Sequence, residues 1–563
     1  MCLQICSACG RGSDAAVSAG VARDSKADHA TLSKVHAAAQ RGAHTEAAVL
    51  AEAALADGLE HPLLLNVVAL NLEMQDRVAE AEQLLRSAVA MAPGDLGSRN
   101  ALGLCLLRLE RSDEALAQFN AILDLDFSLP FAHANRGNSL FTLGLINEAE
   151  ASYRRALELD ANQVVALSGL ARIAVSRGDH REAREWAERA LASLPGYPDA
   201  VMSLAAAELG ELQLDPAEMR LRGLLRDNRL VPVERAYAAG LLGDVLDAKN
   251  RPHEAFAAYD SCNQQLQQAY AARFSAGPSA LEFARALTRY FARVPPPPAG
   301  AADSFRADAA EPSKHVFLLG FPRSGTTLLE VVLEGHPDVV SLEESELLLD
   351  GVREFMKTLA DLDRLAGADA ASLEPLRTAY WRLVAKAGID VAGKVFVDKH
   401  PLNTLKLPLI ARLFPHAKIL FACRDPRDVV LSCFRHRFQM SAPIYELLSL
   451  QGAARYYDAV MALAVCLTTV LKLNVCLVRH EDVVTEFKRE MKRVCSYLNL
   501  DWVPAMGDFA LRTQKRSVLT PSPAQLVRGL NAEGLGHWRR YEAELQPVLP
   551  LLEPWVKRFY YDP

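Results

Sequence analysis

Small and apolar residues recur through the first half of the chain at a fixed interval of 34. Ala69, Gly103, Gly137 and Ala171 keep it. So do Glu46, Glu80, Glu114, Glu148 and Glu182, each followed by Ala, and so do Ala54, Ala88, Ile122, Ala156 and Ala190. Small residues at three such offsets predict pairs of closely packed antiparallel helices, with turns in segments such as "RLERSDEAL" and "TLGLINEAE". The register slips after residue 200 and returns in "LLGDVLDAKNRPHEAFAAYDSC" (241–262), where Gly243 and Glu254–Ala255 keep the spacing. From residue 314 the pattern changes. "KHVFLLG" (314–320) is a short apolar run closed by Gly, which predicts a buried strand, and "TTLLEVVLEGH" after it has helical spacing. "KVFVD" (394–398), "KILFACR" (418–424) and "NVCLVR" (474–479) are further strand candidates. Strands alternating with helices predict a parallel α/β sheet whose ligands lie at the strand C-terminal ends.

The 34-residue interval is the tetratricopeptide period. The chain then divides into a poorly ordered leader (1–29), an all-helical tetratricopeptide solenoid (30–290), a Pro/Ala-rich linker (291–313) and an α/β domain (314–563). Such a solenoid offers a concave face that binds peptide or protein. The plainer alternative is a helical array that shields only itself. Nothing in the repeats supplies catalytic chemistry.

Half of the 563 residues are apolar, which is globular material. A net charge of −7 argues against a nucleic-acid binder, and the acid sits mostly in the repeats: residues 1–310 hold 30 Lys/Arg against 39 Asp/Glu, residues 311–563 hold 32 against 30. Within 394–437 the bases outnumber the acids nine to three, a surplus suited to a phosphorylated ligand. Cys2, Cys6 and Cys9 cluster without the further ligands of a metal site, and Cys423, Cys433 and Cys466 lie in apolar segments, as buried thiols in a reducing compartment do. No signal peptide is evident. The most apolar window, "AVMALAVCLTTVL" (459–471), is too short to span a bilayer and predicts a buried helix, so no membrane insertion is expected. A composition rich in Ala, Arg and Leu suits a bacterial protein, hence a cytoplasmic one, and leaves a homodimer open.

The chemistry begins at "FLLGFPRSGTTLLEVVLEGHP" (317–337). Strand, tight turn and helix N-terminus set a row of backbone N–H groups around one anion. Arg323 adds a guanidinium, and Ser324, Thr326 and Thr327 add hydroxyls around Gly325. Gly320 to Gly325 has the spacing of a nucleoside-triphosphate loop, but Thr326 stands where that loop carries Lys. A nucleotide hydrolase is therefore the weaker reading.

"GFPRSGTTLL" resembles the 5′-phosphosulfate loop of the sulfotransferases, and "RDPRDVVLSCFRH" (424–436) resembles their 3′-phosphate motif. The likeness continues through "HPDVVSLEESELL" (336–348), "VDKHPLNTLKLPLIARLFPHAKILFACRDP" (397–426) and "CLVRHEDVV" (476–484). It is most similar to the branch holding protein-tyrosine sulfotransferases and tetratricopeptide-linked bacterial sulfotransferases. The resemblance implies a P-loop-like sulfotransferase domain behind the solenoid. The co-substrate would be 3′-phosphoadenosine 5′-phosphosulfate (PAPS), with no metal. It places Arg323, Ser324, Gly325, Thr326 and Thr327 at the 5′ end and Arg424 and Ser432 at the 3′-phosphate, with Arg435 or Arg437 assisting. The alternative for Arg424 is an ion pair with Asp425 or Asp428. Glu344 matches the second acid of the tyrosine-enzyme pair that serves as general base, and Lys399 a lysine near the transferring group. His400 and His336 are rival bases, and a solvated helix start is the plain alternative for Glu343, Glu344 and Glu346. In "TPSPAQLVRGLNAEGLGHWRRY" (520–541), Ser522, Gln525, Trp538 and Tyr541 match a cofactor lid, but His537 replaces its basic residue and leaves that contact to Arg539 or Arg540. The acceptor would be a hydroxyl or phenol, with protein tyrosine recruited by the repeats as one reading and a carbohydrate or small molecule as another. A catalytically inactive repeat scaffold is the reading outside enzymes, and intact Arg323, Arg424, Ser432 and Lys399 speak against it.

Overall fold

A computed structural model describes residues 25–275, 277–293, 312–510, 512, and 529–562 apart from 531 and 533. The Cys2–Cys6–Cys9 cluster, most of the leader and linker, Ser522 and Gln525 lie outside them. The chain forms two compact units, Met1–Ala207 and Glu208–Pro563.

Among the described residues, fifteen helices run from Ser25 to Phe291. The first begins inside the expected leader, because "SKADHATLSKVHAAAQ" carries enough Ala and Leu to continue the helical pattern. The 34-residue marks have a packing reason. Ala47, Ala81, Ala115, Ala149 and Ala183, each after its repeat's Glu, are fully buried. Gly103 and Gly137 face the rings of Phe119 and Tyr153, which lie 16 residues later; a Cβ would come within 2.6 and 2.5 Å of them. In the second unit Gly243 meets Tyr259 in the same way, so the hairpin Pro232–Ala248/Pro252–Phe274 is a repeat of the same design.

Among the described residues the second unit is built on a five-stranded parallel sheet in the order β2-β3-β1-β4-β5. The strands are β1 (Lys314–Leu319), β2 (Val339–Glu343), β3 (Val395–Lys399), β4 (Lys418–Cys423) and β5 (Val475–Arg479). Pairing starts just before β1: Pro312 bridges Ala392, and Ser313 N donates to Lys394 O at 2.7 Å, so the expected linker's last two residues belong to the sheet edge. Val316 to Leu319 of β1 are fully buried, as a central strand covered on both faces requires. Val316 and Leu318 join the helix Thr326–Leu333 in one core, while Phe317 joins Tyr380 and Phe414 in an aromatic layer on the other face. Strand order reverses direction at β1: the chain passes to β2 and β3 on one side and to β4 and β5 on the other. The crevice beyond β1 and β4 is thus the place where an open parallel sheet binds ligands.

The apolar window 459–471 belongs to a longer helix, Leu450–Val470, whose 21 residues are long and apolar enough to cross a membrane by length and composition. Here it is a core element. Tyr456, Tyr457, Val460, Leu463 and Leu467 are buried, and its Asp458 accepts from Trp555 Nε1 at 2.9 Å.

Candidate active site

The loop after β1 is tied down by its neighbours. Gly320 N donates to Pro401 O (3.2 Å), Thr404 Oγ1 donates to Gly320 O (2.9 Å), and Ser324 N donates to Phe321 O (3.1 Å). Two positions have no room for a side chain: a Cβ on Gly320 would lie 2.6 Å from Ala422 O, and one on Gly325 would lie 2.5 Å from His480 Nδ1. Gly325, at φ 93°, turns the chain into the helix Thr326–Leu333. Arg323 is held at φ 69°, in the left-handed region that costs a non-glycine residue about 1–3 kcal/mol. Glu344, just past β2, is held at φ 41°.

Arg323 Nε donates to Ser432 Oγ at 3.0 Å, which brings the loop after β1 to the helix Pro426–Arg435 after β4. Arg424 leaves the end of β4 beside them. Its Nη2 donates to Gly534 O, and its Nε is buried with no hydrogen-bond partner among the described residues. Asp428 stands 3.8 Å from Arg424, but both its oxygens accept backbone amides, from Gly536 (2.7 Å) and Trp538 (2.8 Å). Asp425 is taken by Arg427 through two hydrogen bonds. Burial and the Arg424 guanidinium pull the Arg323 pKa down to about 10. Burial, then Arg424 and Arg323, push the imidazole of His480 down to about 3. The region is a desolvated surplus of positive charge.

Across the crevice Lys399, at the end of β3, is fully buried. Its Nζ lies 2.9 Å from Glu344 Oε1, 3.0 Å from Glu343 Oε1 and 3.4 Å from Glu330 Oε2. Burial lowers its pKa, but the three carboxylates outweigh that and hold it above the usual lysine value. Of the three, Glu330 is buried and Glu343 nearly so, whereas the Glu344 side chain is 42% exposed. Glu344 is therefore the carboxylate that can meet a substrate, and it lies close enough to act on the charge of Arg323. Glu346 is bound by His400 Nε2 (3.2 Å) and Lys406 Nζ (2.6 Å), and the His400 hydrogen bond leads in holding its carboxyl down to about 2. His336 is spent locally, its Nδ1 accepting from Asp338 N at 3.1 Å.

The structure thus brings together Arg323, Ser432, Arg424 and the loop hydroxyls, and sets Glu344 and Lys399 opposite. It ties Arg435 to Asp247 (2.6 Å) and Arg437 to Asp244 (2.5 Å), so neither is at liberty to assist at the phosphate site as expected from the sequence. Trp538 is buried, with the Arg427 guanidinium 4.1 Å from its ring centroid. Glu330 and His480 escaped sequence reading. Glu330 was hidden as one acid in a helix otherwise read as core. His480 directly follows β5, where the strand-end rule could have flagged it.

A strand–loop–helix turn with Arg323 and a second arginine, Arg424, at the neighbouring strand end lie near the Glu344–Lys399 pair. Residues 315–504 match the sulfotransferase family, and residues 69–128 and 135–198 match the tetratricopeptide repeat. The chain is thus an N-terminal tetratricopeptide array followed by a sulfotransferase-family domain. Protein-tyrosine sulfotransferase 1 of Danio rerio is 25% identical over 271 residues, 44% of this chain and 72% of that one. Protein-tyrosine sulfotransferase A of Caenorhabditis elegans is 24% identical over 271 residues, 45% and 68% respectively. Among solved structures, a tetratricopeptide repeat protein from Parabacteroides merdae aligns with a TM-score of 0.35 and 17% identity over 43% of this chain and 93% of that one.

Proposed function

We propose that this chain transfers the sulfuryl group of PAPS to the phenol of tyrosine in a protein recruited by the repeats. The observation that carries the reading is the arginine pair at the ends of β1 and β4. Arg323, its pKa lowered by desolvation and by Arg424, and Arg424, with a buried donor left over, form a site that an anion would stabilise. A nucleotide with phosphate at both ends needs two such points. Arg323, Ser324, Gly325, Thr326 and Thr327 would take the sulfuryl-bearing 5′ end, where the helix N-terminus also favours negative charge. Arg424 and Ser432 would take the 3′-phosphate.

In the transfer, the acceptor oxygen bonds to sulfur as the bond from sulfur to the 5′-phosphate oxygen breaks. The phenol proton goes to Glu344 and the electron pair leaves with the phosphate, where Arg323 stabilises the developing charge. Lys399, anchored from behind by Glu330 and Glu343, acts through Glu344 by fixing its carboxylate. The tyrosine acceptor is supported by the relatives' activity and by the match of Glu344 to their acidic pair.

The test is incubation of the full chain with sulfur-labelled PAPS and a cell lysate, followed by hydrolysis and separation of amino acids. Label recovered as tyrosine sulfate is expected. Label confined to glycans or small molecules would overturn the acceptor. No transfer, with no binding of adenosine 3′,5′-bisphosphate, would overturn the donor.

A further inference from the structure

We infer that the last repeat hairpin is a working part of the donor site, with Asp247 as its positioning residue; this rests on the PAPS reading above. Asp247 lies in the last turn of the helix Pro232–Ala248, and its carboxylate is almost fully buried. It joins two elements of the sulfotransferase domain at once. One is the anion-binding helix Pro426–Arg435: Arg435 Nη2 lies 2.6 Å from Asp247 Oδ2, one helical turn beyond Ser432. The other is the C-terminal stretch 536–541: Tyr541 Oη donates at 2.6 Å, Arg540 Nη1 lies at 3.0 Å and His537 Nε2 at 3.4 Å. Arg435 also reaches His537 Nε2, which closes the ring.

Both elements carry donor-site groups. The helix presents Ser432 to Arg323, and Asp428 on the same helix grips the amides of Gly536 and Trp538. Just before that stretch, Gly534 O receives Arg424. Asp247 therefore holds the 3′-phosphate helix and the segment that aims Arg424 in one register. The hairpin adds further grips on the same helix. Asn263 Nδ2 donates to Phe434 O at 2.8 Å, Phe256 stacks on Phe434 with centroids 4.9 Å apart, and Asp244 pairs with Arg437, two residues past the helix end. Repeats that only carried an acceptor would need none of these contacts with the helix bearing Ser432.

Asp247 touches no donor atom in this scheme, so its loss should show in donor affinity and not in the chemical step. Asp247→Asn keeps the shape and removes the charge. In the full chain it should weaken adenosine 3′,5′-bisphosphate binding about tenfold or more, the scale of one lost charge-assisted contact, and raise the KM for PAPS alike. The kcat at saturating PAPS should stay within about threefold, since the proton transfer at Glu344 is untouched. Arg540→Gln, which cuts the same ring at a more exposed point, should act in the same direction, and the double variant should be little weaker than Asp247→Asn alone. Amide hydrogen exchange at Gly536 and Trp538 should quicken in each variant, whatever the ligand. Should Asp247→Asn fail to fold, Arg540→Gln and Asp244→Asn carry the same comparison. Unchanged bisphosphate affinity in variants of a chain that does bind it, or a fall in kcat alone, would overturn the inference. Faster exchange in the variants, when the wild-type chain itself binds no bisphosphate, would overturn the donor reading, and with it the hairpin's role there, while leaving the ring itself in place.

Discussion

Replacing Arg424 with Ala tests the donor site at the atom level. Arg424 is the residue whose role depends on the 3′-phosphate, so adenosine 3′,5′-bisphosphate and 5′-AMP should respond differently. Its side chain is only 13% exposed, and its Nε is a buried donor with no partner among the described residues. A phosphate there gains a charge-assisted hydrogen bond in a poorly solvated place, about 1.5–3 kcal/mol, or roughly ten- to a hundredfold in Kd. The bond to Gly534 O is lost with either ligand, so it contributes a common penalty that the AMP measurement subtracts. Arg424→Lys should recover part of the difference, because it keeps the charge but not the fork. Calorimetric titration of both nucleotides against wild type, Arg424→Ala and Arg424→Lys gives the numbers. Equal losses for bisphosphate and AMP would refute the assignment and return Arg424 to its alternative, a structural partner of Asp428.

Glu344→Gln should leave bisphosphate affinity intact and cut sulfuryl transfer by roughly two to four orders of magnitude, the usual worth of a general base; near-normal turnover, with collapse in His400→Asn, would move the base to the histidine. Deleting residues 1–207 should leave donor binding in the remaining unit but slow transfer to a protein acceptor more than to a small phenol, a ratio that competitive labelling measures; an unchanged ratio would remove the repeats from recruitment. A last prediction concerns pH. Burial pushes the Asp398 carboxyl up to about 6 and the His315 imidazole down to about 3, and Tyr380 links them, its hydroxyl 2.8 Å from each. Between pH 4 and 6 the raised carboxyl gives stability that is full at low pH and lost as pH rises, while the depressed imidazole gives stability that is full above its unfolded value and lost as pH falls. Asp398→Asn removes the first, so acidification should destabilise the variant more steeply than wild type, by up to about 1.4 kcal/mol per pH unit; parallel urea-unfolding profiles would contradict this.

The sequence by itself determined the two architectures and most of the donor site. A 34-residue period is legible because the packing of one hairpin repeats: the same small position meets the same large one sixteen residues on, as Gly137 meets Tyr153. The strands were legible because β1, β3 and β4 are central and carry unbroken buried apolar runs, Val316–Leu319, Val395–Val397 and Ile419–Cys423. Arg323, Arg424 and Ser432 could be named because loops at strand ends carry their chemistry in contiguous motifs. What only the tertiary structure decided is which charges are already spent. Arg435 and Arg437 look as available in the sequence as Arg424, yet carboxylates 188 and 193 residues away neutralise them. Glu343, Glu344 and Glu346 look alike, and it is the positions of Lys399, Lys406 and His400 that bury Glu343 against Lys399, give Glu346 two cations and leave Glu344 partly exposed with one. Glu330 is one letter in an apolar helix until β3 brings Lys399 beside it. The physical reason is common to all three. Periodicity and burial are written locally along the chain, whereas the partner of a buried charge is set by which distant segments pack together, and that partner decides whether the charge is structural or free to act.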